Sequence, residues 1–447
     1  MVAELVRAGA ALLEDPPRPP AGLEELARRN ARRHRRRRAL SGAVVAVLAV
    51  VGLTVLADGR QGDNHVVTVA RDSGTLAVAT DHGVLLVPAD GDAPTAVDLG
   101  GVPVRMAWSF DGEWLAAQVD GRLLLVHRPD GEVRRVDIPD VGGFAWSPVA
   151  PTLVVQSATA GLFTATPTGE PRQIRASGGD AAWSPDGRRL AIQDGGSGAG
   201  GLRVMDADGT AERLVASYRT LAHAAAGLQV FGWTPDGRAV LYRGHDVAGS
   251  PAEEGLPLVA VDVADGTTFE LGPVFGRREW VVPAPEGSSV AFIATDVRST
   301  EHVLRACDVV ARECTDLTSA DRVAADPAWS PDGTRIAYAS TATGPLRAEG
   351  STTHVVRAAG SDDQQVGPAA GSSRVPSWTG DGGSIVRVLG AALDADPPIL
   401  VVDRIPASGG RSERLVRRVL RGRAVIADRG GRQILTAWTP GRALSDP

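Results

Sequence analysis

One phrase, Trp-Ser-Pro-Asp-Gly followed by a short apolar run, recurs along this 447-residue chain and limits what it can fold into. It is cleanest as AWSPDGRRLAIQ (182–193), GWTPDGRAVLYR (232–243) and AWSPDGTRIAYA (328–339). Looser copies are AWSFDGEWLAAQ (107–118), AWSPVAPTLVVQ (145–156), VPAPEGSSVAFI (282–293) and SWTGDGGSIVRV (377–388). Ser-Pro-Asp-Gly is turn chemistry: Pro presets φ, Asp bonds to nearby backbone, and Gly accepts the positive φ that closes a hairpin. The residues before the turn are one strand and the apolar run is the next. That run is apolar almost continuously, so its strand is expected to be covered on both faces. The indoles stand at Trp108, Trp146, Trp183, Trp233, Trp329 and Trp378, with Pro283 in the place of another, at steps of 37 to 50 residues.

Each unit closes with a second hairpin. LLLVHRPDGEVRRVDI (123–138), LRVMDADGTAERLV (202–215) and LVAVDVADGTTFEL (258–271) each set an Asp-Gly turn between two strands. Four strands in a unit of this length make a blade, and the fold class is all-β: a β-propeller of four-stranded blades. Here the chain resembles the TolB-type family of WD-like β-propeller repeat proteins, whose signature is the Trp-Ser-Pro-Asp-Gly phrase. The resemblance covers about residues 65–440 and implies a fold rather than an activity. Seven units run from about 102 to 422. An eighth comes from residues 66–99, closed by 423–438, and eight blades are expected, with seven plus a flanking hairpin as the alternative. In this reading the repeat Trp residues are structural wedges between adjacent blades.

The second strong signal lies upstream. Residues 39–57 carry no charge, and at about 1.5 Å per residue such a helix crosses roughly 30 Å of hydrocarbon. Ten Arg against five Asp/Glu occupy residues 1–38, so a chain of net charge −6 has a basic head and an acidic body. All 47 basic residues are Arg, which excludes a phosphate-binding loop ending in Gly-Lys-Ser/Thr. An acidic body argues against nucleic acid as a partner. The basic flank places the N-terminus in the cytoplasm and the remainder outside the membrane. The expected organisation is a cytoplasmic Arg-rich tail (1–38), a single transmembrane signal-anchor helix (39–57), a linker (58–64), the propeller (65–440) and a C-terminal tail (441–447). A cleaved signal peptide ending at Val55-Leu56-Ala57 is the competing reading.

The motifs that could carry chemistry resolve into structure. Cys307 and Cys314 flank a hairpin turn symmetrically and are expected to form a disulfide in an oxidising compartment. GSGAGG (196–201) satisfies Gly-x-Gly-x-x-Gly but leads into a strand, not a helix, and reads as a loop. DADG (206–209) is a hairpin turn lacking the further ligands of a calcium loop. Asp111, Asp186, Asp236, Asp332 and Asp381 read as turn formers. No catalytic residues, metal ligands or cofactor are expected.

Strand alternation sends the long segments 194–201, 244–255, 340–353 and 390–398, with the insertion 216–227, to one face. A protein, peptide or envelope ligand is expected on that loop-rich face. The leading function is a non-catalytic binding or scaffold/sensor module. One alternative is a propeller lyase or hydrolase using acidic channel residues. Another follows from the layout, which resembles actinobacterial membrane proteins proposed to partner extracytoplasmic-function sigma factors: residues 1–33 would bind such a partner, although they lack a His/Cys zinc motif.

Overall fold

The repeated turns become hairpins, and the hairpins join in pairs. A computed structural model describes residues 74–80, 82–88, 92–194, 200–221, 224, 228–244, 256–274, 280–295, 302–342, 351–368, 373–389, 399–419, 426–428, 431–433 and 436–439. The chain divides into two units, Met1–Thr68 and Val69–Pro447, and every described residue belongs to the second. The expected cytoplasmic tail, membrane helix, linker and C-terminal tail lie outside the described residues, as does most of each long loop.

Among the described residues every regular element is a β-strand, and every pairing is antiparallel. The strands Arg105–Trp108, Trp114–Val119, Arg122–His127 and Val133–Val136 form one four-stranded meander in chain order. Further four-stranded meanders begin at Val141, Ala181, Leu228, Val281, Arg322 and Ser373; each is called below by its first residue. The 228 and 281 meanders fuse into one sheet through the pair Val274↔Ala294. One sheet, the seam sheet, mixes the two ends of the chain: Thr75–Ala79, Gly83–Pro88 and Thr95–Asp98 are completed by Thr436–Thr439, which pairs with Thr75–Ala79.

Burial follows the sequence pattern. The second strands are the most enclosed, and Thr75–Ala79 and Ala239–Gly244 are buried at every position. The fourth strands are the opposite: Glu313–Asp316 is exposed throughout, and Arg172–Arg175 is exposed or half-buried. Charged outer edges of this kind discourage edge-to-edge pairing with other chains.

Hydrophobic clusters sit between successive sheets rather than within them. Val84, Leu86 and Leu99 of the seam sheet pack with Trp108, Leu115 and Val119 of the 105 sheet, and similar clusters link each sheet to its successor. The last link returns to the start, since Val386, Val388 and Val402 of the 373 sheet pack against Leu76, Val78 and Leu85. First strands of neighbouring sheets also touch, including Thr436–Thr439 against Arg105–Trp108. A cyclic succession of four-stranded antiparallel sheets is consistent with the propeller expected from the repeats.

Candidate functional site

The corners come first, because their carboxylates are the most regularly spaced charges in the molecule. At each clean corner the Ser or Thr hydroxyl donates to the Asp two residues on: Ser109 to Asp111 (2.5 Å), Ser184 to Asp186 (2.5 Å), Thr234 to Asp236 (2.6 Å), Ser330 to Asp332 (2.5 Å) and Thr379 to Asp381 (2.6 Å). The same Asp accepts a backbone N–H from two residues further, as from Arg188 to Asp186 at 3.0 Å. The hydroxyl oxygen in turn accepts the N–H that starts the next strand, as from Arg189 to Ser184 at 2.9 Å. The Ser184, Ser330 and Thr379 hydroxyls hold the carboxyls of Asp186, Asp332 and Asp381 below the usual range, with backbone N–H groups adding to the effect. These five carboxylates are engaged in turn geometry.

The corner glycines have two reasons to be glycine. Gly187, Gly237, Gly333 and Gly382 take φ of 66°, 67°, 67° and 65°. They also abut the preceding corner. A Cβ on Gly237, Gly333 or Gly382 would stand 3.6–3.7 Å from the Cδ of Pro185, Pro285 or Pro331, and one on Gly187 would meet Val149 Cγ2 at 2.3 Å.

The repeat tryptophans form an equally regular ladder. The indole N–H groups of Trp146, Trp183, Trp233, Trp329 and Trp378 donate to the carbonyls of Ala107, Ala145, Ala182, Val282 and Ala328 at 2.9–3.0 Å. Each acceptor lies one residue before the Trp position of the preceding sheet. Trp108 is itself buried at the interface between the seam and 105 sheets. Pro283 has no N–H to continue the ladder, and at this interface the 228 and 281 meanders pair main chain to main chain instead. The Cys307–Cys314 disulfide joins the facing residues of the last two strands of the 281 meander, with Cα atoms 4.0 Å apart. Its sulfurs lie 3.9 and 3.7 Å from the carbonyl oxygen of Leu271 in the 228 meander. Trp280, which sequence spacing did not single out, is 2% exposed and donates to Asp326 of the following sheet at 2.7 Å.

Two polar arrays remain. Arg175, Asp194, Arg203 and Glu212 close a ring of ion pairs at 2.6–3.3 Å between the 141 and 181 sheets. Burial alone pushes the Asp194 carboxyl up, but hydrogen bonds from Arg175 and Arg203 outweigh it and hold the group low. In the 322 sheet, Asp363 lies 3.1 Å from His354 Nδ1, and Thr352 Oγ1 lies 3.0 Å from His354 Nε2, the outline of a nucleophile–base–acid line. However, Arg322 Nη1 is also 3.0 Å from Nε2 and can only donate. It fills the lone pair that a general base needs, so the array is a structural hydrogen-bond chain. Burial, with Asp363 beside it, pushes the Tyr338 phenol at its far end strongly up.

A further polar arrangement lies at the entry ends of three successive first strands. Arg105, Gly143 and Asp180 each stand three residues before a repeat Trp, and with Phe144, Val154, Gln156 and Ala181 they line an open, shallow recess. A register shift between Val141 and Gly143 re-aims the strand here. The guanidinium carbon of Arg105 lies 5.3 Å from the Phe144 ring centre. Gly143 makes the floor: a Cβ there would come within 3.3 Å of Arg105 Nη1 and 3.5 Å of Gln156 Oε1. The second strands end at this same side, with Gln118, Gln156 and Gln193 in successive sheets. The strand Arg189–Asp194 ends on this side. Among the described residues no group of three His, Cys, Asp or Glu is placed to hold a metal ion.

No protein-family model matches the chain. No curated protein matches it by sequence. Similar solved structures include dipeptidyl peptidase 4 of Porphyromonas gingivalis, 12% identical, covering 78% of this chain and 60% of that one at a TM-score of 0.51. A eukaryotic initiation factor is 11% identical, covering 83% of this chain and all (100%) of that one at 0.50. A putative TolB from Agrobacterium tumefaciens is 17% identical over 83% of this chain and 100% of that one, at 0.36. At these identities the likeness to the first two is one of fold; the matches also include TolB proteins.

Proposed function

We propose that the chain is a non-catalytic binding module: an eight-bladed propeller tethered by residues 39–57 outside the cytoplasmic membrane, engaging a protein or peptide at the recess bounded by Arg105, Phe144, Gln156 and Asp180. The observation that carries this reading is the recess itself, which gathers charged, amide and aromatic groups from three neighbouring sheets. At the corner end the recurring carboxylates are hydrogen-bonded into their own turns. At the other end a guanidinium, an amide and a carboxylate surround a glycine gap. Donors and acceptors spaced along three neighbouring strands suit an extended polypeptide, whose own N–H and C=O groups alternate at similar intervals. The Cys307–Cys314 bond supports an extracytoplasmic location, because a disulfide persists in oxidising surroundings.

Cross-linking in intact cells tests the binding reading. The full chain is expected to capture a polypeptide that is lost at least tenfold in both Arg105→Glu and Gly143→Val, the second filling the gap without altering charge. Equal capture by both variants would overturn the assignment of the recess.

A further inference from the structure

The third-to-fourth hairpins pack onto the preceding sheet in a repeated way. In the 141, 181 and 228 sheets the fourth strand holds one extra residue, Ile174, Val215 or Leu271, at a register shift against the third. The next sheet's hairpin closes on that carbonyl through a glycine. A Cβ on Gly209 would lie 2.7 Å from the Ile174 oxygen, and one on Gly266 would lie 2.9 Å from the Val215 oxygen. Both glycines have positive φ, 91° and 75°. At Leu271 the pattern changes. The turn of the 281 meander, residues 309–312, has no glycine, and its positive-φ residue is Arg312 at 58°. The Leu271 carbonyl is met instead by the sulfurs of Cys307 and Cys314, at 3.9 and 3.7 Å. This is also the interface at which Pro283 interrupts the indole ladder.

We propose that Cys307–Cys314 is a site of thiol–disulfide exchange with an external dithiol, and that its reduction loosens the 281 hairpin from the 228 meander. This inference is independent of what the recess binds. Three observations favour exchange over a passive staple. The bond closes a short loop, with a sequence separation of 7, between strands already paired from Arg305↔Asp316 to Asp308↔Glu313, so it adds little entropic stabilisation of its own. Cys314 lies on Glu313–Asp316, exposed at every position, whereas Cys307 is buried among Leu271, Val290 and Phe292. Arg312 holds a left-handed backbone that disfavours a residue with a side chain, and the bond ties together the two strands flanking it.

A thiolate therefore reaches Cys314 Sγ from the outer edge. It forms a mixed disulfide there as the Cys307–Cys314 bond breaks, and Cys307 leaves as a thiolate that takes up a proton. The second thiol of the reductant then attacks the mixed disulfide, its own two sulfurs join, and Cys314 is released as a thiol. Two electrons and two protons pass from the dithiol to the pair. Once apart, the sulfurs no longer bridge both strands onto Leu271, and no indole of the ladder spans this interface in their place.

Three readouts on the native full chain test this. Dithiothreitol is expected to reduce the folded protein within about a hundredfold of the rate in denaturant, because the attacked sulfur lies on an exposed edge. Slower reduction than that would overturn the proposal. With mercaptoethanol, quenched in acid and mapped by mass, the mixed disulfide is expected at Cys314; an adduct mainly at Cys307 would contradict the direction of attack. Hydrogen exchange is then compared between the oxidised and reduced chains. Exchange at Thr268–Val274 and His302–Asp308 is expected to quicken about tenfold on reduction, while Arg105–Trp108 and Ala181–Trp183 keep their protection. Unchanged exchange at the first two strands would show a disulfide that holds nothing. Loss of protection in every sheet would show a staple of the whole fold. Either result would overturn the clamp.

Discussion

A single corner residue shows how the charges of this molecule are used. The Asp332 carboxylate accepts the Ser330 hydroxyl at 2.5 Å and the Thr334 N–H at 3.1 Å, which holds its pKa below the ordinary 3.8. A depressed folded-state pKa contributes stability above the unfolded value, and that contribution is lost as pH falls through the lower folded value. Asp332→Asn is therefore expected to cost about 1 kcal/mol at pH 7, since the site is largely solvent-exposed, and less at pH 2. Urea midpoints of the two proteins at both pH values check this; an equal gap at both would show that the charge plays no part. The turn role of these Asp residues was legible in the bare sequence, because Ser-Pro-Asp-Gly dictates its own local hydrogen bonds. The Trp positions were equally legible as wedges. Their acceptors were not, because the ladder from Trp233 to Ala182 crosses 51 residues and depends on how sheets stack. Trp280 escaped for a related reason: it lies off the repeat position, and only its contact with Asp326 in the next sheet reveals its role.

Between elements, contact from corner to corner matters as much as the turns themselves. A Cβ at Gly187 would collide with Val149 of the preceding corner at 2.3 Å, whereas one at Gly237 would rest 3.7 Å from Pro185. Both positions have φ near 66°, so the backbone penalty is shared and the difference is the collision. Gly237→Ala is expected to cost about 1 kcal/mol and Gly187→Ala about 2–3 kcal/mol. Adding Val149→Ala to Gly187→Ala should recover part of the excess, because the closest clash is with the end of that side chain while Ser147 Oγ stays 2.9 Å from the added Cβ. Thermal midpoints of the three variants and the native chain measure this, and a double variant no better than Gly187→Ala would refute the corner contact. The Pro283 interface shows the complementary case. Where the indole is missing, Val274 pairs with Ala294 across the sheets, and the disulfide lies against Leu271. The sequence disclosed the missing Trp and the paired cysteines, but not that both concern one interface.

For the whole molecule, the order of sheets was legible because each repeat is local, with its strands and turns contiguous in the chain. Closure was legible only in outline. Residues 423–438 were expected to complete the first sheet, and the strand that does so is Thr436–Thr439, set by pairing between the chain's two ends. No local period signals such a pairing. The recess was not legible at all: Arg105, Gly143 and Asp180 become neighbours only when three first strands lie side by side. The proposed function places all of this outside the membrane, and accessibility in living cells is the direct measurement. Arg188, an exposed corner residue, is changed to Cys in the full chain, the native pair being occupied by its disulfide. Intact cells are then treated with a membrane-impermeant maleimide. The account predicts labelling of Cys at this position before any permeabilisation; labelling that appears only after the membrane is breached would contradict it.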